Sequence, residues 1–200
     1  MIPTIPIPGG QGLVRNALAL SHDYARAIIQ PGDRVVDATC GKGRDTAFLA
    51  ECVGPSGRVD AFDIQPAAIA QTGDTLRQLE LTDRCHLHLA SHDRMAEWVE
   101  PGIRCTLFNL GYLPGGDHAI GTTTATTLPA LTTALRLTVV GGAVLVCLYY
   151  GGDSGFAEHD AVLAAVRSLP VQTYAVQTIE LANAINCPPI FIAIEKLRDD

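Results

Sequence analysis

The stretch "VVDATCGKGRDTAFLA", Val35 to Ala50, decides the fold more than any other part of the chain. Two β-branched residues lead to an acid, Asp37, a short loop holds Gly41 and Gly43, and a helix-forming run begins near Asp45. Glycine lets the backbone approach a ligand closely, and the following helix offers unpaired N–H groups at the positive end of its dipole. Strand, glycine turn and helix in that order predict a nucleotide-like or carboxylate-bearing ligand at the turn. The same two glycines would also serve a plain tight turn.

Outward from this unit, short β-branched runs alternate with longer helical stretches. Strands are predicted at 34–38, 58–63, 85–90, 105–110 and 142–150, with helical segments near 44–53, 66–80, 93–99, 123–138 and 156–168. That alternation is the mark of a parallel sheet with crossover helices. After residue 168 it stops. "QTYAVQTIEL" and "PPIFIAIEKL" read as two strands joined by "ANAINC", which leaves no room for a crossover helix, so an antiparallel terminal pairing is expected. The predicted architecture is α/β, a mainly parallel seven-stranded sheet with an antiparallel C-terminal strand and helices on both faces, in a single domain over 1–200.

Composition narrows the class. An apolar fraction of 48% in 200 residues is ordinary for one globular domain with a sizeable core. The six cysteines are scattered without paired spacing, which suits reduced, mostly buried thiols better than a disulfide framework or zinc site. The opening "MIPTIPIPGGQG" has no basic region and no sustained apolar run, so a cytoplasmic protein without a membrane span is expected. Its apolar part, "MIPTIPIP", is read as a contact with another part of the fold or with a second subunit in a homodimer. A net charge of −7 argues against indiscriminate nucleic-acid binding but leaves room for a specific RNA held by a local basic patch drawn from Arg15, Lys42, Arg44 and Arg94.

The glycine loop discriminates among ligands. A Walker loop needs G-x-x-x-x-G-K-[ST], and the dinucleotide fingerprint needs a third glycine or alanine where Thr46 stands. The acid ending the first strand, the D-x-x-x-G-x-G loop and a second acid ending the next strand instead resemble the S-adenosylmethionine sites of Rossmann-like class I methyltransferases. The candidate cofactor residues are Asp37, Thr39, Gly41, Gly43, Asp45 and Thr46. Asp63 follows about twenty residues past the loop, beside Ile64, where a carboxylate can accept both ribose hydroxyls. Asp93, with His92, ends the third strand near the expected adenine edge. Asp63 and Asp93 would equally suit helix caps.

The fourth strand ends in "FNLGYLPGGDH", Phe108 to His118, and "NLGY" is similar to the D/N-P-P-Y motif of amino-group methyltransferases, with Leu110 and Gly111 in place of the prolines. An amine nucleophile must arrive neutral with its hydrogens held by acceptors, and Asn109 Oδ1 and the Leu110 carbonyl are the candidates. Asn109 also lies beside the cofactor site. Tyr112 would stack on a planar base, and Asp117 or His118 would take up the released proton, unless "LPGGDH" is only a surface turn.

At these residues the chain resembles the MnmM (YtqB) family of small class I methyltransferases, once described as rRNA methylases. The likeness is carried by "DATCGKGRDTAFLAE", "GRVDAFDIQPAAIAQT", "SHD", "FNLGYLPGGDH", the threonines Thr122, Thr126 and Thr127, "GGAVLVCLYYGG" and "NAINCPPIFIAIEK". It implies methylation of the aminomethyl group of 5-aminomethyl-2-thiouridine at the tRNA wobble position. It also implies that Asn183, Asn186 and Pro188 reach over the substrate. The chain departs from the family at His118 and Thr123, where lysines are expected, and at "YYGG" in place of Tyr-His-Gly-His. N-methylation of a small-molecule amine and a non-catalytic cofactor-binding module are the alternatives. A zinc site at His86, His88 and His92 lacks a further ligand of fitting spacing, so no metal is expected. The segment "SHDYARAII", with His22, is read as a helix packing beside the cofactor cleft.

Overall fold

The computed structural model describes residues 14–111, 121–150, 152–183 and 187–199. Helix α1 (Ala17–Ile28) precedes an alternation of β1 (Arg34–Asp37), α2 (Arg44–Val53), β2 (Arg58–Asp63), α3 (Pro66–Gln78) and β3 (Cys85–Leu89). After β3 come β4 (Ile103–Leu110), α4 (Thr124–Leu137), β5 (Thr138–Leu148), α5 (Gly152–Arg167), β6 (Tyr174–Ile179) and β7 (Ile190–Lys196). The strands form one sheet in the order β3-β2-β1-β4-β5-β7-β6. All neighbours pair in parallel except β7, which runs antiparallel to both β5 and β6, as the lack of a crossover between the last two strands requires.

The sheet is covered on both faces, and the pleat decides which side chain goes where. Val35, Leu107 and Leu145 enter one core with residues of α1, α2 and α3, whereas their sequence neighbours Val36, Phe108 and Val146 enter the other with α4 and α5. Burial on both faces explains why these strands read as continuous apolar runs rather than as alternations.

Two predicted elements change on inspection. The helical segment expected near 93–99 is a 3₁₀ turn over His92–Glu97. Strand β5 begins at Thr138 instead of residue 142, because residues between Thr138 and Ala143 bulge out of register: Ile103 pairs with Thr138 and Cys105 with Ala143. A glycine pair marks a bulge here rather than the strand's start. His88, one of the three clustered histidines, places Nε2 2.9 Å from Asp60 Oδ1, and Arg58 grips the same buried carboxylate at 2.7 and 2.8 Å. Those donors, working against burial, hold Asp60 below the usual carboxylate range. Among the described residues no helix is long and apolar enough to cross a membrane.

Candidate active site

Strand order reverses direction between β1 and β4, since β1 leads to β2 on one side while β4 leads to β5 on the other. In an open α/β sheet the crevice at the carboxyl ends of two such strands is where ligands bind. Asp37, Thr39, Asp45 and Asn109 of the residues singled out from the sequence are joined there by hydrogen bonds. Thr39, just beyond β1, accepts the Asn109 backbone N–H on its Oγ1 at 2.8 Å, which ties the two strand ends together across the crevice.

The glycine loop is fixed from three sides. Its Gly41 N–H donates to Asp63 Oδ2 at 3.0 Å, while Asp63 Oδ1 accepts the Gln65 N–H at 2.9 Å. Thr72 of α3 donates its hydroxyl to the Gly41 carbonyl at 3.1 Å. Gly43 has φ +78°, and a Cβ there would sit 2.8 Å from Thr72 Cα, so both its conformation and its packing against α3 require glycine. Asp63, at the end of β2, therefore shapes the loop. Ile64 beside it is exposed.

Asp37 is fully buried beneath the loop. Thr46 donates to its Oδ2 at 2.6 Å, and the Thr39 N–H reaches its Oδ1 at 3.2 Å. The Thr46 side chain, equally buried, thus serves Asp37 inside the fold. Burial first, and then the nearby Asp45 carboxylate, push the Asp37 carboxyl up to about 7 against the pull of those two hydrogen bonds. Because the folded state binds this proton up to about pH 7 and the unfolded chain releases it near 3.8, stability falls as pH rises between those values. Asp37→Asn is expected to remove this dependence, a slope approaching about 1.4 kcal/mol per pH unit. Urea unfolding of both proteins between pH 5 and 8 measures it.

At the third strand's end His92 is buried, with its ring hydrogen-bonded to the Ala38 backbone and edge-on to Phe108 at 5.8 Å. Burial pulls it below the ordinary imidazole range. Its Nε2 and the Oδ1 of Asp93 are both buried without a hydrogen-bond partner among the described residues. Buried polar atoms of this kind are rare and mark a place where a ligand or water completes the set.

Asn109 stands half-buried near the end of β4, with its Nδ2 donating to Asp45 Oδ2 at 2.8 Å. The other Asp45 oxygen lies 2.7 Å from Nε2 of His22, which stacks on Phe48 with ring centroids 3.8 Å apart. Spacing could not reveal His22, because 23 residues separate it from Asp45 and the contact exists only once α1 packs beside α2. The Leu110 carbonyl already accepts the Tyr149 N–H at 3.0 Å, which leaves one lone pair for any further donor.

Beyond Leu110 the chain turns at Gly111, where φ is +148° and a Cβ would lie 3.1 Å from Tyr149 Cβ. The Gly111 N–H donates to Thr122 Oγ1 at 2.9 Å. Thr122 and Thr127 in turn donate to the buried Glu158 at 2.8 and 2.6 Å. Glu158, a second residue that sequence motifs missed, thereby anchors the exit of β4. Tyr112, Asp117, His118 and Asn186 lie outside the described residues, as does the N-terminal arm. Asn183 is exposed and Pro188 half-buried in the connection between β6 and β7. Lys42 and Arg44 are exposed on and beside the glycine loop, whereas Arg15 pairs with Asp23 at 3.1 Å and Arg94 with Glu97 at 2.7 Å.

Known proteins are similar to this chain in sequence and fold. Over 192 residues the chain is 34% identical to the "tRNA (mnm(5)s(2)U34)-methyltransferase, chloroplastic" of Arabidopsis thaliana, spanning 91% of this chain and 70% of that protein. The crystal structure of a "putative rRNA-methylase" from Clostridium thermocellum superposes with a TM-score of 0.91 at 46% identity, over 92% of this chain and all of that one. A "putative methyltransferase" from Streptococcus mutans, solved in complex with SAH, gives 0.85 at 37% identity, again over 92% of this chain and all of that one. Residues 59–195 match the family described as "Putative rRNA methylase", and with a fold and relatives that agree over nine-tenths of its length, this chain belongs to that family.

Proposed function

We propose that this chain is an S-adenosylmethionine-dependent N-methyltransferase. Its substrate is the aminomethyl group of 5-aminomethyl-2-thiouridine at the tRNA wobble position, and its setting is the cytoplasm. One observation carries the reading: the Asn109 carboxamide has its NH₂ engaged by Asp45, which leaves Oδ1 as an acceptor at the crevice where an amine would be held. The name of the plant relative supports the substrate class.

The residues present fit the cofactor. S-adenosylmethionine supplies an electrophilic methyl on a sulfonium. Asp45 and Asp63 place carboxylates at the strand ends where a cationic ligand is favoured. Asp63, with lone pairs left beyond its two backbone bonds, would accept ribose hydroxyls, and the unpartnered Asp93 Oδ1 would accept an adenine amino hydrogen.

Asn109 Oδ1 would accept one N–H of the neutral amine and so fix its lone pair toward the methyl. The N–C bond forms as the S–C bond breaks, and the methylated nitrogen then sheds a proton. No strong base is needed for the attack, so positioning supplies most of the acceleration, for which roughly 7–11 kcal/mol is available in well-oriented systems. Tyr112 is assigned to stacking on the base, Asp117 or His118 to the proton, and Asn183, Asn186 and Pro188 to the nucleoside's edge. The exposed Lys42 and Arg44 would offer phosphate contacts in an otherwise acidic protein.

The test is nucleoside mass spectrometry after incubating the protein with S-adenosylmethionine and tRNA from cells that stop at the aminomethyl stage. A gain of one methyl on the wobble nucleoside is expected. No gain from a protein that binds the cofactor would overturn the tRNA assignment and direct the search to small-molecule amines.

A further inference from the structure

We infer that Asp45 and His22 form a positioning pair that sets the orientation of the Asn109 carboxamide. This rests on the reading of Asn109 as the group that holds the amine. It gives Asp45 the task of orienting Asn109 and brings α1 into the active site. Neither residue falls within the 59–195 stretch that matches the family.

An asparagine side chain can turn over, exchanging oxygen for NH₂ at little intrinsic cost, and only one of the two orientations presents an acceptor to an amine. A carboxylate only accepts, so Asp45 Oδ2 at 2.8 Å admits the Asn109 NH₂ and rejects its oxygen. The Asp45 side chain would itself be free to rotate if that were its sole bond. It is held at the other end, because Oδ1 meets His22 Nε2 at 2.7 Å, and this nitrogen must carry the hydrogen. His22 in turn is pinned by its near-parallel stack on Phe48, 10° between planes, and by helix α1, whose first turn is capped by Asn16 Oδ1 accepting the Ala19 N–H at 2.8 Å. The chain of restraint therefore runs from helix packing through two hydrogen bonds to the orientation of one amide. The Asn109 backbone is independently fixed through Thr39, so only its side chain depends on this pair.

His22→Ala is expected to lower kcat about 10- to 100-fold with little change in KM for tRNA or in cofactor affinity, the size of loss that misplacement at a reacting centre produces. His22→Gln keeps an N–H donor and should recover most of the rate. Asp45→Asn should lose rate like His22→Ala, because it offers an NH₂ to one of two partners that are both donors. If the pair acts only through Asn109, adding His22→Ala to Asn109→Ala costs nothing further. An unchanged kcat in His22→Ala, or losses that multiply in the double variant, would overturn the inference.

A second measurement is independent of turnover. In NMR spectra the Asn109 side-chain NH₂ signal, assigned by its loss in Asn109→Ala, is expected to shift in His22→Ala and return in His22→Gln. An unmoved signal overturns the positioning role even where the wild-type protein proves inactive on tRNA. Inactivity with the signal shifting as expected would instead refute the proposed substrate alone.

Discussion

Asn109→Ala is expected to cut methyl transfer about 10²- to 10³-fold while cofactor affinity changes less than about tenfold. Truncation deletes the Oδ1 acceptor, so a bound amine keeps neither its orientation nor the fixed direction of its lone pair. The protein should still fold, because the Asn109 backbone N–H remains bonded to Thr39 Oγ1 and β4 stays paired along its length with β1 and β5. Single-turnover transfer to tRNA, together with calorimetric titration of S-adenosylhomocysteine, separates the two quantities. Full cofactor binding with transfer lost identifies an enzyme whose rate depends on this side chain. Undiminished transfer would show that the amine is held elsewhere.

The second large effect is expected at Asp63. Asp63→Ala should weaken cofactor binding about 10- to 100-fold, the worth of one charge-assisted hydrogen bond of about 1.5–3 kcal/mol. The loss has two sources. The ribose would lose its acceptor, and the Gly41 N–H, now bonded to Asp63 Oδ2 at 3.0 Å, would lose the group that holds the glycine loop. Asp63→Asn separates them in part, since its one amide oxygen can still accept from Gly41, while the NH₂ in place of the other oxygen accepts neither the Gln65 N–H nor a ribose hydroxyl. Affinity in Asp63→Asn midway between the wild-type protein and Asp63→Ala is the expected calorimetric result; equal affinity in all three would place the ribose elsewhere.

Much of this site was legible because its signals are local. A β-branched run ending in an acid, followed by glycines and a helix, announces a strand's carboxyl end, and Asp37, Asp63 and Asn109 all stand at such ends. The antiparallel finish was legible from the short connection after β6. The boundaries that shifted did so for nonlocal reasons. β5 reaches back to Thr138 because Ile103 of the neighbouring strand supplies a partner across a bulge. The 3₁₀ turn at His92–Glu97 packs its buried His92 and Met95 beside α4, a neighbour that no local pattern names.

The amino-acid sequence by itself determined the order of strands and helices, the glycine turn and the polar residues at the strand ends, because periodicity and turn chemistry act over a few residues. Only the tertiary structure decided that β4 lies beside β1, that Thr39 bonds Asn109, and that His22, far upstream, braces Asp45. It also decided that Asp37 holds its proton up to about pH 7, a property of burial and of the neighbouring Asp45 carboxylate. Hydrogen-bond partners and desolvation belong to the packing of distant elements, and the sheet's strand order is what brings those elements together.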